Sequence, residues 1–242
     1  LLHGQNWDWR DECADSSLVV EIKRDNGPDI LTQTEAGILA RCGMNTAGVA
    51  LTGNFLKCDR DSTPGGIPIP FVRRHILESE NLNSAMEVVL KSPKSFSTNL
   101  MISHRDGEAI DFETVPGETF WIAPENGLLV HANHFESISG LTKVKDEGLK
   151  VAPCSLYRSR RVRESLSRHI GELELSHFKT AFGDKFGSPA AVCADPDNGP
   201  GGENSSTVAT ILMDTTLGKM WIATRPYLAH TYTEYGFDDQ GS

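Results

Sequence analysis

The chain has 242 residues, 38% hydrophobic, 7% aromatic and 23% charged, with 22 glycines and 12 prolines, which excludes a disordered or collagen-like chain and predicts one sizeable core. Lysine and arginine number 23 against 33 aspartates and glutamates, and the resulting charge of −10 opposes broad attraction to phosphate backbones and anionic membranes, so neither nucleic acid nor membrane is expected as a partner. No apolar run approaches the ~18 to 20 residues of a spanning helix.

In chain order, residues 19–24 alternate apolar and polar and run into Asp25-Asn26-Gly27-Pro28, which predicts a strand closed by a turn, with a hairpin partner over residues 30–34. After Glu35, two short apolar and β-branched runs are broken by Gly43-Met44-Asn45, and two further strands are expected around a tight turn there. Between Pro68 and Leu90 the period becomes 3.6, predicting two amphipathic helices, the second capped by Asn83 or Ser84 and stopped at Pro93. Strand signals return over residues 95–103, 109–114, 119–123 and 128–131, with a turn at Arg105-Asp106-Gly107, and are expected to assemble a second sheet. Residues 155–170 and 172–182 read as helices, residues 195–206 as a glycine-rich loop, and residues 207–213 with 220–224 as a closing hairpin. Strand–helix–strand alternation at short spacing is missing, so one domain with helices layered over antiparallel sheets is preferred to a parallel doubly wound sheet.

The five cysteines, Cys13, Cys42, Cys58, Cys154 and Cys193, are scattered, odd in number and free of any Cys-x-x-Cys pair. Neither a disulfide framework nor a zinc ribbon is indicated, and a reducing intracellular compartment, cytoplasmic or peroxisomal, is expected. The basic cluster Arg158, Arg160, Arg161, Arg163 and Arg168, with Glu164 interleaved, reads as a solvated helix face, the other reading being a site for an acidic ligand.

Phosphate-binding glycine loops, His-Glu-x-x-His and Gly-x-Ser-x-Gly do not occur. Two segments remain unusual. In Gly4-Gln5-Asn6-Trp7-Asp8-Trp9, polar groups crowd between two indole rings, which is either a Trp-anchored strand end or a carboxylate and amide held rigid beside a reacting centre. In His131-Ala132-Asn133-His134 the two histidines have a metal-compatible offset but no third ligand close in sequence, so no metal and no cofactor is expected.

These segments resemble the acyl-coenzyme A:isopenicillin N acyltransferase-like family, a branch of the N-terminal-nucleophile hydrolases. The resemblance rests on Gly4-Gln5-Asn6-Trp7-Asp8, on Thr34-Glu35-Ala36-Gly37-Ile38 with Gly43-Met44-Asn45-Thr46-Ala47-Gly48-Val49, and on His131-Ala132-Asn133-His134, in that order over nearly the whole chain. It implies an α+β fold, a four-layer αββα sandwich of two antiparallel sheets between helix layers. It also implies autoproteolysis at a Gly-Cys bond, leaving a cysteine thiol as nucleophile and its own α-amino group, with an ordinary pKa near ~8, as base. Asp8 matches the aspartate that holds this amino end, and Asn133 matches the oxyanion-hole asparagine. Asn6 and His134 are expected to support the pair from behind.

In the family the nucleophile precedes Gly-Gln-Asn-Trp-Asp by a little over a dozen residues, so the chain as written is expected to be a single catalytic domain lacking that opening segment and inactive by itself. Cys13 follows the motif and is read as a structural thiol. Where the acyltransferase places a substrate-binding arginine, this chain has a loop with Glu203 and Asn204, which are expected to face substrate; carboxylate recognition of the penicillin type is not expected. The resulting expectation is an amidohydrolase or acyltransferase acting on a small-molecule amide, with acyl-CoA as a candidate donor and the cleaved N-terminal subunit of its own precursor as partner. The alternatives are an inactive relative serving as a binding module, and a Cys-His hydrolase using Cys42, Cys58 or Cys193.

Overall fold

In the computed structural model, which describes residues 1–196 and 204–237, the chain runs through β1 (Leu2–Arg10), a 3-10 turn (Asp11–Ser16), β2 (Ser17–Ile22), β3 (Ile30–Glu35), β4 (Cys42–Asn45), β5 (Val49–Thr52), α1 (Ile69–Leu77) and α2 (Leu82–Lys91). It continues through β6 (Thr98–His104), β7 (Ala109–Val115), β8 (Glu118–Ile122), α3 (Ile138–Lys143), α4 (Ser155–Ser167), α5 (Leu175–Phe182), β9 (Ser205–Asp214), β10 (Lys219–Thr224) and β11 (Thr233–Gly236). Strands β2 to β8 form one antiparallel sheet in chain order, and β1, β9, β10 and β11 form a second in that spatial order. No helix of the described residues is long and apolar enough to cross a membrane.

Side-chain alternation decides what each layer buries. On β1, His3, Gln5 and Trp7 are buried while Leu2, Gly4, Asn6 and Asp8 are only partly so. Trp7 packs between the sheets with Leu31, Met44, Ala50, Ile211 and Met213. On the outer face of the seven-stranded sheet, Val72 and Ile76 of α1 and Ala85 and Val89 of α2 meet Leu51, Leu100 and Ile102. On the other outer face, Val162 and Leu166 of α4 and Phe178 of α5 meet Leu212. Each fully buried side chain of this size contributes about 1.5 to 3 kcal/mol relative to exposure. The layers are therefore helix, sheet, sheet, helix, as the αββα expectation required.

Several local expectations are corrected. Gly43-Met44-Asn45 lies inside β4, and the turn follows at Thr46 to Gly48, where Gly48 has φ 95°. Gly43 is small because β3 runs close by: a Cβ there would stand 2.3 Å from the Leu31 carbonyl oxygen. The cap of α2 is Asn81, whose side chain accepts from the Ser84 N–H at 3.0 Å; Asn83 instead bonds Glu87. No separate second sheet begins after α2, because β6 returns to pair with β5 and extends the first meander. Residues 128–131 form no strand beyond a bridge from Leu128 to Glu125. The 3-10 turn, α3 and β11 had no expectation, and most of the expected loop over 195–206, Glu203 included, lies outside the described residues.

His3 ties β1 across the sandwich, its ring nitrogens 2.7 Å from Ser103 Oγ and 2.8 Å from Thr52 Oγ1. Burial pushes its pKa down from 6.5 to about 4. An unfolded chain takes up this proton near 6.5 and the folded chain only near 4, so the histidine's contribution to stability is present above 6.5 and falls as pH drops through that window. The His3→Gln variant is expected to show a flatter decline in urea-unfolding free energy between pH 7 and 4; an unchanged slope would assign the acid sensitivity elsewhere.

Candidate active site

A register slip in β1 sets the first candidate side chain. Trp7 lies opposite Ala209 but Asp8 lies opposite Thr207, and this bulge re-aims the Asp8 carboxylate. Thr207 Oγ1 donates to Asp8 Oδ1 at 2.7 Å, and Arg158 Nη1 stands 3.5 Å from Oδ2. Burial raises the Asp8 pKa above the usual carboxylate range, opposed by the Arg158 charge and the Thr207 hydroxyl.

The second side chain, Asn133, sits in the irregular segment before α3. Its Oδ1 accepts from Arg158 Nη2 at 2.8 Å, and one hydrogen of its Nδ2 goes to the Phe55 carbonyl at 3.1 Å. The amide carries a second hydrogen that no bond of the described residues uses. The backbone N–H of Asn133 donates to Ser155 Oγ at 2.7 Å, and that hydroxyl also meets His134 Nδ1 at 2.7 Å. Burial lowers the His134 pKa, which favours the neutral ring at this hydroxyl.

His131 anchors the segment from below. Nε2 lies 2.9 Å from Glu113 Oε1 and 3.7 Å from Asp111 Oδ2, and Nδ1 lies 2.9 Å from the Ala132 carbonyl oxygen. With acceptors at both nitrogens the ring is a doubly protonated cation: burial alone would lower its pKa, but Asp111 and Glu113 outweigh it and raise it to about 9. Glu113 also accepts from the Glu136 N–H at 2.5 Å and from the Ser137 hydroxyl and N–H, so one carboxylate holds both ends of the segment carrying Asn133. Burial opposes its ionisation, yet these donors hold its pKa below the usual range.

Asp8, Asn133 and Arg158 line one cavity of about 1770 Å³ with apolar walls that include Leu128, Val162 and Phe178. The structure thus brings Asp8 and Asn133 onto a single guanidinium, although Arg158 is 150 residues from the first and 25 from the second. Asn6 stands behind them, donating to the Phe182 and Val192 carbonyls at 2.9 and 2.8 Å and accepting from Thr210 Oγ1 at 2.6 Å, which locks the end of α5 against β1. Asn204 is exposed at the head of β9, its carbonyl accepting from the Asp11 N–H at 3.0 Å, and does not line the cavity. Among the described residues no group of three His, Cys, Asp or Glu is placed to hold a metal.

Arg158 corrects the reading of its cluster as a solvated helix face. Arg160 is exposed beside Glu164, but Arg161 pairs with Asp184, Arg163 reaches the Val130 carbonyl, and Arg158 is buried. The signal was its position: Ser155, Arg158, Ser159, Val162 and Leu166 recur at helical spacing and form the buried face of α4. Replacing Arg158 by methionine leaves Thr207 as the main group opposing desolvation of Asp8, so the acid limb of the kcat/KM profile is expected to move to higher pH; an unmoved limb would separate Asp8 from the activity.

None of the five cysteines lines the cavity. Burial pushes the Cys42 thiol up to about 12 and the Cys193 thiol up to about 11, and raises Cys13 and Cys58 as well. Cys154 is buried at the head of α4. Cys13, Cys42, Cys58 and Cys193 are thus protonated thiols at neutral pH, the opposite of an activated nucleophile.

Comparison with known proteins adds four findings. The family model described as acyl-coenzyme A:6-aminopenicillanic acid acyl-transferase matches residues 1–225. The 40 kDa form of acyl-coenzyme A:6-aminopenicillanic-acid-acyltransferase from Emericella nidulans is 28% identical over 214 residues, covering 88% of this chain and 58% of that protein, so the chain spans less than two thirds of its relative. A variant of conjugated bile acid hydrolase from Clostridium perfringens has the same fold, with a TM-score of 0.68 at 15% identity over 99% of this chain and 90% of that one. Penicillin V acylase from Agrobacterium tumefaciens gives 0.57 at 14% identity over 96% and 75%.

Proposed function

The chain belongs to the acyl-coenzyme A:6-aminopenicillanic acid acyl-transferase family, and from that premise we propose that the complete protein cleaves or transfers the acyl group of a small N-acyl amine or β-lactam-type amide through a cysteine acyl-enzyme. The observation that carries the reading is the meeting of Asp8 and Asn133 on Arg158 at the wall of one cavity. An acyl-transfer centre needs these parts: an anion to hold a protonated amine, and an amide N–H aimed at the oxygen where charge develops.

In the proposed reaction a cysteine outside residues 1–242 supplies the thiol, since none of the five thiols within them lines the cavity and burial raises the pKa of Cys13, Cys42, Cys58 and Cys193. Its α-amino group takes the thiol proton, and Asp8 holds the resulting ammonium. Sulfur bonds to the amide carbon and the carbonyl electron pair moves onto oxygen, where the unused N–H of Asn133 donates to it. As the carbonyl reforms, the C–N bond breaks and the ammonium returns its proton to the leaving amine. Water then resolves the thioester in hydrolysis and a second amine in transfer; acyl-CoA is the donor when the transfer runs from a thioester.

The test is turnover of N-octanoyl amines by the full-length protein, with and without a second amine. Release of octanoic acid, or the exchanged amide, is expected; no turnover of any amide or acyl thioester across a panel of acyl lengths would reject the reading.

A further inference from the structure

Arg73 stands on α1 with its side chain nine-tenths buried and lining the cavity. Its Nε is sealed without a partner, and among the described residues the Arg73 side chain forms no hydrogen bond or ion pair. A buried cation without a counter-charge is among the costliest groups a fold retains. Burial lowers its pKa to about 10, which still leaves it charged at neutral pH. The surroundings do not relieve it: although the chain carries a net charge of −10, five arginine and lysine side chains line the cavity against three carboxylates, and the His131 cation there is already paired with Glu113. Arg158 is engaged by Asp8 and Asn133, Arg41 by Glu35 and the face of Trp7 at 4.1 Å, and Lys94 by the Val89 carbonyl. Lys57 is exposed. Arg73 is the buried cation left uncommitted among the described residues.

Its place relative to the reacting centre follows from three residues of chain. Gly53 gives the guanidinium room, for a Cβ there would stand 3.1 Å from Arg73 Nη2. Two residues on, the Phe55 carbonyl takes the Asn133 amide. Two residues of backbone span at most about 7 Å, so the guanidinium and the oxyanion donor are held at the ends of one short segment.

We propose that Arg73 receives a carboxylate of the substrate, so that the amide this enzyme acts on bears an anionic group a few bonds from the scissile C–N bond. The assignment takes its substrate from the amide-cleaving reading above. One free guanidinium matches one negative charge and pairs with a carboxylate through two parallel hydrogen bonds, whereas a phosphate dianion would leave a second charge unmatched. Val72, Ile69 and Phe96 on the same cavity wall suit the hydrocarbon of such a ligand. The chain thus supplies from α1 the arginine that its expected substrate loop lacks.

Two measurements on the full-length protein separate this site from the chemistry. In calorimetric binding, octanoate should bind at least tenfold more tightly than 1-octanol to the wild type; Arg73→Met should abolish that preference with octanol affinity unchanged, and Arg73→Lys should keep part of it. Because Arg73→Met removes a buried unpaired charge, its Tm should hold or rise, whereas a purely structural arginine would lower it. Equal affinities in the wild type, a preference that survives Arg73→Met, or inorganic phosphate displacing octanoate at lower concentration would each overturn the proposal. In turnover, N-octanoylglycine should exceed its neutral amide in kcat/KM at least tenfold, the ratio collapsing in Arg73→Met. A charge preference in binding with neither amide turned over would keep the anion site and reject the amide reading; turnover of both amides at equal rates would do the reverse.

Discussion

Replacing Asn133 by alanine in the complete enzyme is expected to lower kcat by roughly 100- to 1000-fold, about 2.7 to 4 kcal/mol of transition-state stabilisation, with KM changed little. The expectation rests on how its amide is held. Arg158 fixes Oδ1 at 2.8 Å, so the side-chain orientation is set and Nδ2 can only point away from the guanidinium. One Nδ2 hydrogen is spent on the Phe55 carbonyl at 3.1 Å, which leaves the other on a fixed vector. A donor that needs no reorientation when charge develops acts more strongly on the transition state than on the neutral carbonyl, and that difference appears in kcat. Asn133→Asp should be at least as damaging, because it replaces the donor with an acceptor. A kcat within threefold of wild type in the alanine variant, measured where substrate saturates, would remove Asn133 from the reaction.

The second large effect falls on stability. Glu113→Ala removes the carboxylate that pairs with the His131 cation and accepts from the Glu136 and Ser137 backbone, with both His131 and Glu113 side chains shut off from solvent. Deleting one partner of a buried pair costs about 3 to 5 kcal/mol, and denaturant unfolding should show a loss of that size. The same pair makes stability fall on the alkaline side: the folded pKa of His131 is raised from 6.5 to about 9, so its contribution is complete below 6.5 and is lost as pH rises toward 9. In Glu113→Ala the alkaline decline should shrink, with the remaining Asp111 charge keeping part of it. A loss below 1 kcal/mol, or an alkaline slope equal to that of wild type, would show that the pair does not hold this segment.

That Asp8 and Asn133 share one cavity wall was expected from two short polar runs that a core does not need, and the layered αββα order was legible in the two changes from period 2 to period 3.6. Arg158 was not, since a run of arginines on a helix is normally hydrated; only the packing of Val162 and Leu166 of α4 against the second sheet turns that one position inward. Glu113 sits in a strand whose alternation gives no hint of its partner, His131, which reaches it from a segment that has no regular structure. Gly43 shows why the turn was misplaced: glycine marks close backbone approach as readily as it marks a turn, and the neighbouring strand that distinguishes the two is contributed by tertiary pairing.

The central claim is acyl transfer through a thioester in the cavity where Asp8 and Asn133 meet. Its most direct test is to mix the full-length protein with an N-octanoyl amide, quench during turnover, and locate any covalent octanoyl group by mass spectrometry of the peptides. The account predicts one octanoyl group on a cysteine outside residues 1–242, lost on treatment with hydroxylamine and absent when that cysteine is alkylated beforehand. An octanoyl group on Cys13, Cys42, Cys58, Cys154 or Cys193, or amide turnover that survives complete thiol alkylation, would contradict it.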